Sequence, residues 1–166
     1  MDERLNGEET QMAALQSIET IAPMLVGNAT LIGLDLGTKT IGVAVSDLGR
    51  RFASPLSVIR RTKFKADAAA LVEMIGVHQP AAVVIGLPIN MDGSEGPRAQ
   101  ATRAFARNLA GLIAVPIVFW DERLSTAAVT RTMIEADLSR KRQAEVVDKM
   151  AAAYILQGAL DRLARL

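Results

Sequence analysis

The stretch Leu31–Asp47, LIGLDLGTKTIGVAVSD, constrains the fold more than any other part of this 166-residue chain. Leu31, Ile32, Leu34 and Leu36 form a nearly unbroken apolar run, the pattern of a strand covered on both faces. Gly37-Thr38-Lys39-Thr40 supplies turn residues, and Ile41, Val43, Ala44 and Val45 carry a return strand. Into the first strand the sequence puts Asp35, between Leu34 and Leu36. An ionised carboxylate there costs several kcal/mol unless it is paired, hydrogen-bonded or bound to a metal. The bland alternative is an Asp that caps the turn through its own side chain. Gly37 and Thr38 already do the turning, which favours a functional role.

The remaining elements follow in order. Phe52 to Ile59 predicts a third strand, entered at an edge because of Pro55, so that the first three strands form an antiparallel meander. Phe64 to Val77 has helical spacing at Ala68, Leu71, Val72 and Ile75, and His78, the only histidine, stands near its end as a helix cap rather than a base. Ala81 to Leu87 is a short apolar strand, and the Gly- and Pro-rich loop from Pro88 to Pro97 follows it. A helix from Pro97, with Phe105, Leu109 and Leu112 inward, leads to a strand over Pro116 to Trp120. Two more helices are expected, one from Ser125 to about Ala136 and the last from about Glu145 to Leu163. Residues 1–30 read as an N-terminal extension, with a short helix over Met12 to Ile18 and otherwise loose packing; residues 31–166 read as one domain. The order predicts an α/β fold: a mixed five-stranded sheet, three antiparallel strands then two parallel ones, flanked by helices.

In such a sheet the first, fourth and fifth strands are parallel and their C-terminal ends lie together. Asp35 lies on the first, and Glu122, beside Asp121, follows the fifth. Asp148 falls in the first turn of the last expected helix, at i, i+4, i+7 spacing with Ala152 and Ile155. Each has a modest alternative: a strand end for Glu122, or a complement to the helix dipole for Asp148, worth ~0.3–1 kcal/mol. Three carboxylates converging on one edge would repel without a cation, and Mg²⁺ is the natural counter-ion.

LDLGTKTIGVAVSD, GLPINMDGSEGPRAQATRAFA at Gly86–Ala106, WDERLST at Trp120–Thr126 and VVDKMAAAYIL at Val146–Leu156 together resemble the motifs of the Holliday-junction-resolvase-like family of pre-16S rRNA nucleases. The resemblance runs from Leu31 to the C-terminus. It implies an RNase H-like fold and a Mg²⁺- or Mn²⁺-dependent hydrolase of phosphodiester bonds in structured nucleic acid, acting at the 5′ end of precursor 16S rRNA in ribosome biogenesis. Carried over residue by residue, it makes Asp35, Glu122 and Asp148 the catalytic, metal-binding carboxylates. Lys39, Asn90, Arg98 and Arg103 are candidates to position the substrate backbone. Unlike junction resolvases, the chain follows Leu87 with Pro88 and not with an acidic residue, and Asp92, Glu95 and Asp121 stay open as further ligands. The alternatives are a DNA junction resolvase, which needs a symmetric dimer, a catalytically silent nucleic-acid-binding factor, and a phosphate sensor. A looser resemblance of the hairpin to the actin and sugar-kinase group would demand a second lobe.

Charge decides how a polyanion could be held. Half of the residues are apolar and the formal net charge is only +1, so attraction must come from local clusters: Arg60–Lys65, Arg98–Arg107 and Arg140–Arg142. The second is expected to grip substrate and the first to be a solvated surface. No apolar run approaches the ~18 residues of a membrane span. The acidic start MDERLNGEET is unlike a secretory leader, and cysteine is absent. The expectation is a cytoplasmic monomer or homodimer.

Overall fold

The computed structural model describes residues 15–124 and 140–166; within the latter, the side chains of residues 140–148 lie outside the description. The helix expected from Ser125 to about Ala136 falls outside the described residues. The elements are β1 (Leu15–Gln16), α1 (Ile18–Ile21), β2 (Leu31–Leu36), β3 (Thr40–Ser46), β4 (Ala53–Arg60), α2 (Phe64–His78), β5 (Ala82–Leu87), α3 (Pro97–Ala110), β6 (Ile117–Asp121) and α4 (Arg140–Leu163), with single 3₁₀ turns at Ala22–Met24 and Glu122–Leu124.

The sheet is mixed, as expected, with spatial order β1-β6-β5-β2-β3-β4. β2 lies at its centre, antiparallel to β3 and parallel to β5, and every residue from Leu31 to Leu36 is buried. Alternation along the strands divides the core in two. Leu31, Val84, Val118 and Trp120 face α4 through Ala152, Ile155, Leu156 and Ala159. Ile32, Leu34, Leu36, Val83 and Ile85 face α2 and α3 through Leu71, Phe105 and Leu109. Each fully buried Leu or Ile contributes about 1.5–3 kcal/mol, so the two layers are what hold the sheet between its helices.

Five expectations are corrected. The sheet has six strands rather than five, because Leu15–Gln16 pair in parallel with Ile117–Val118. A two-residue strand carries no readable period. Of the helix expected over Met12 to Ile18, residues 12–14 lie outside the described residues; Leu15–Gln16 are strand and α1 begins after Ser17, whose hydroxyl accepts from the Thr20 N–H at 3.2 Å, and Ile18 and Ile21 are buried in the α4-side core. The last helix already includes Arg140 rather than beginning near Glu145, since nothing from Arg140 to Gln143 breaks a helix. Leu112, expected inward, lies past the end of α3 beyond Gly111 and is exposed, and Val72 is on the open side of α2.

Candidate functional site

The β2–β3 turn is closed by the backbone itself: Gly37 N–H donates to the Thr40 carbonyl at 2.9 Å. Asp35 is buried, with 8% of its surface exposed, and by alternation its side chain leaves β2 on the α4 face. Its neighbours across the sheet are small. Gly42 stands opposite on β3, and Gly86 follows the Leu34↔Ile85 pair on β5. A methyl group added at Gly86 would stand 2.7 Å from Glu122 Oε1 and 2.5 Å from Ile155 Cδ1. The Glu122 carboxylate, delivered by the 3₁₀ turn after β6, therefore folds back over β5 into the space Gly86 leaves. Asp35 and Glu122 come together on one face at the C-terminal edge of the parallel strands.

Helix α4 crosses that face. Its Ala152 carbonyl and Leu156 Cβ lie 3.1 and 2.7 Å from where a Cβ at Gly33 would be, and Gln157 Oε1 accepts from Ala53 N–H at the far end of the sheet. The helix thus runs antiparallel to β2. One turn before Ala152, about 5.4 Å, corresponds to two strand residues, about 6.6 Å. The backbone of Asp148 is accordingly carried toward the strand end that holds Asp35. Asp148 stands in the third turn of α4, not the first, where a helix dipole no longer acts appreciably. Among the described residues no three carboxylate or imidazole groups form a metal-sized cluster; the side chain of Asp148 lies outside them.

The other acidic candidates have partners of their own. Asp121, on the α3 face, takes Arg123 Nη2 at 2.7 Å, and this holds its carboxyl below the usual range. Asp92 accepts from the Ser94 hydroxyl and N–H at 2.6 and 2.9 Å. Glu95 is gripped by Arg103, Nε at 2.5 Å and Nη2 at 3.1 Å, while the Arg103 guanidinium lies 4.9 Å over the Phe119 ring. Asn90 closes the same loop: its N–H donates to Ser94 O at 2.9 Å and its side-chain amide to Ser94 Oγ at 3.0 Å. His78 is remote, because its carbonyl accepts from Thr30 at the opposite end of β2.

Residues 29–162 match the family model described as RuvX: Holliday junction resolvase. The chain belongs to the RuvX family. A relative from Paracoccus denitrificans (strain Pd 1222), named "Putative pre-16S rRNA nuclease", is 64% identical over 148 residues, spanning 89% of this chain and 94% of its own length. One from Rhizobium meliloti (strain 1021), with the same name, is 60% identical over 153 residues, 92% of this chain and 93% of its own. Among solved structures, Thermus thermophilus RuvC in complex with a Holliday junction substrate superposes with a TM-score of 0.52 at 16% identity, covering 82% of this chain and 96% of that one. That likeness establishes the RuvC-type, RNase H-like fold.

Within this RuvX chain, Arg103 and Asn90 both make contacts that shape the loop after β5. Sequence reading missed this because Arg103 and Glu95 are eight residues apart, across a loop–helix junction. It also missed Gly86, whose importance arises only from the register that sets it beside Asp35. The loop has a pH signature. The Arg103 hydrogen bond lowers the Glu95 carboxyl, and the Ser94 hydrogen bonds lower Asp92. Groups depressed in the folded state stabilise it fully above their ordinary values of 4.5 and 3.8, and the contribution is lost as pH falls through the lowered values. The Gly93 and Ser94 amide resonances are expected to titrate below about pH 4 while sheet resonances stay fixed. Loop resonances that hold to the point of global unfolding would show that these contacts do not brace it.

Proposed function

We propose that the protein is a divalent-metal-dependent nuclease whose substrate is the 5′ region of precursor 16S rRNA. The observation that carries the reading is the buried carboxylate of Asp35 set between Gly42 and Gly86, with Glu122 folded over Gly86 beside it. The family and the names of its close relatives supply the substrate class.

The residues fit a hard cation. Asp35 and Glu122 offer carboxylate oxygens, the donors Mg²⁺ and Mn²⁺ take, and the missing side chain at residue 86 leaves room where they meet. Asp148 is the third ligand in this reading. Bound metal supplies charge neutralisation at the phosphate and a more acidic water. The chain's own groups do the rest. Asp35 is held by the central strand and cannot swing away. Glu122 accepts a hydrogen bond from the attacking water and keeps it in line with the scissile P–O bond. Lys39 at the exposed turn holds phosphate oxygens, while Asn90 and Arg103 keep the intervening loop in shape. Among the described residues no helix is long and apolar enough to cross a membrane.

The test is a cleavage assay with end-labelled precursor 16S rRNA leader and four-way junction DNA, each with Mg²⁺ or EDTA. RNA cut only with Mg²⁺ is the expected result. Preferential cutting of the junction would transfer the site to DNA resolution, and no cutting of either would remove the nuclease reading.

A further inference from the structure

The sequence set Arg61 apart from the substrate, as one charge of a solvated cluster. Strand register gives that cluster a definite setting. Thr40 pairs with Arg60, and Arg61 N–H donates to the Lys39 carbonyl at 2.8 Å, so the cluster stands against the Gly37–Thr40 turn. The Arg61 guanidinium is held there from three sides. Its Nη1 donates to the Gly37 carbonyl at 2.6 Å, its plane lies 5.6 Å from the Phe105 ring centre, and its Nε stands 4.0 Å from buried Asp67. The Nη2 donors have no acceptor among the described residues. Beside them is a pocket of about 70 Å³, lined by Leu36, Gly37, Thr38, Arg61, Arg98 and Thr102 with the Phe105 ring.

We infer that this pocket is a second phosphate subsite, taking a nucleic-acid backbone phosphate next to the one being cut. Its volume has room for a phosphate group. Two guanidinium groups and the Thr38 hydroxyl supply the donors a phosphate takes, and planar guanidinium matches its oxygens with paired bonds. Arg61 is pre-set by Gly37 and Phe105, so little side-chain freedom is lost on binding. Arg98 is exposed and has no ion pair among the described residues. The location is informative. Leu36, which lines the pocket, faces α2 and α3, whereas its neighbour Asp35 faces α4. The carboxylates and the pocket thus occupy opposite faces of one strand end. A phosphodiester chain laid across the sheet edge meets the carboxylates on one side and the two arginines on the other.

This inference rests on the nuclease reading for its substrate, yet its test is separable. The full chain is titrated into a fluorescein-labelled RNA hairpin by anisotropy in EDTA, from 50 to 200 mM KCl. Arg98→Ala and Arg61→Ala are each expected to flatten the plot of log affinity against log salt by ~0.7–0.9. The double variant then loses about tenfold less affinity across that range than the parent. Arg165→Ala, at the far end of the molecule, should leave the slope unchanged. Because Arg61→Ala also frees the Gly37 carbonyl, its melting temperature is measured, and if it falls sharply Arg98→Ala decides alone. An unchanged slope for Arg98→Ala, or an equal change for Arg165→Ala, overturns the subsite. A parent that cleaves RNA while Arg98→Ala binds with the parental slope defeats the subsite and leaves the nuclease. A parent that never cleaves while both arginine variants flatten the slope does the reverse.

Discussion

Asp35→Asn is expected to lower Mg²⁺-dependent cleavage by about a thousandfold or more, with the melting temperature unchanged or slightly raised. The side chain is buried on the central strand, so its replacement must be isosteric, and Asn is. Removing one negative charge from a site shared with Glu122 relieves repulsion when metal is absent. Glu122→Gln and Asp148→Asn should each lose most activity, and combining either with Asp35→Asn should add little, because groups serving the same ion fail together. A readout independent of turnover is at hand. Trp120 is the only tryptophan, sits two residues before Glu122 and packs on Gly158 of α4, so its fluorescence should respond to Mg²⁺ in the parent and not in Asp35→Asn. Parental cleavage by Asp35→Asn would end the metal-site assignment. A collapse of its melting temperature would make Asp35 a structural residue instead.

The second large effect separates two glycines that look alike in the sequence. At Gly86 an added methyl meets Ile155 Cδ1 at 2.5 Å and Glu122 Oε1 at 2.7 Å, both the far ends of side chains that can move. Gly86→Ala should therefore cost about 1–2 kcal/mol of stability, the lower part of the overpacking range. Its cleavage should fall by about a hundredfold, as expected when a functional group is displaced by ~1 Å. At Gly33 the methyl meets Leu156 Cβ at 2.7 Å and the Ala152 carbonyl at 3.1 Å, atoms on or next to the α4 backbone. There the helix itself must shift, and the loss of stability should reach about 3 kcal/mol. Urea unfolding and the cleavage assay on both variants give the comparison. Full activity in a folded Gly86→Ala protein would mean that Glu122 does not work from where it lies.

What the sequence made legible, and what it hid, follows from the range of the forces involved. β2 and β5 are continuous apolar runs buried on both faces, and such runs carry their own signature. Their parallel pairing places the C-terminal ends of β2, β5 and β6 at one edge, because strand ends are counted from the pattern. Residues whose meaning comes from a partner far along the chain stayed hidden. Arg61 is tied to Gly37, Gly86 accommodates Glu122, and Ala53 is bonded by Gln157, 104 residues away. Arg103 carried a charge that the sequence could count, but not the Glu95 that neutralises it. The start of α4 was misplaced for a different reason: a basic run looks like a loop by polarity, while its backbone propensity is helical.

The strand at the near end of the chain has a consequence in time. Leu15 pairs with Ile117, about a hundred residues later, and β2 must likewise wait for Ala82 before its parallel neighbour exists. At ribosomal rates of roughly 5–20 residues per second, β1 leaves the tunnel several seconds before the strand it will lie against. The β2–β3–β4 meander, whose contacts are local, can close during that interval and present a half-sheet with an open β2 edge. Assembly of the carboxylate edge then comes last, when β6 arrives with Glu122 and α4 closes over Gly33. A newborn chain cannot bring Glu122 over Gly86 until β6 has been made.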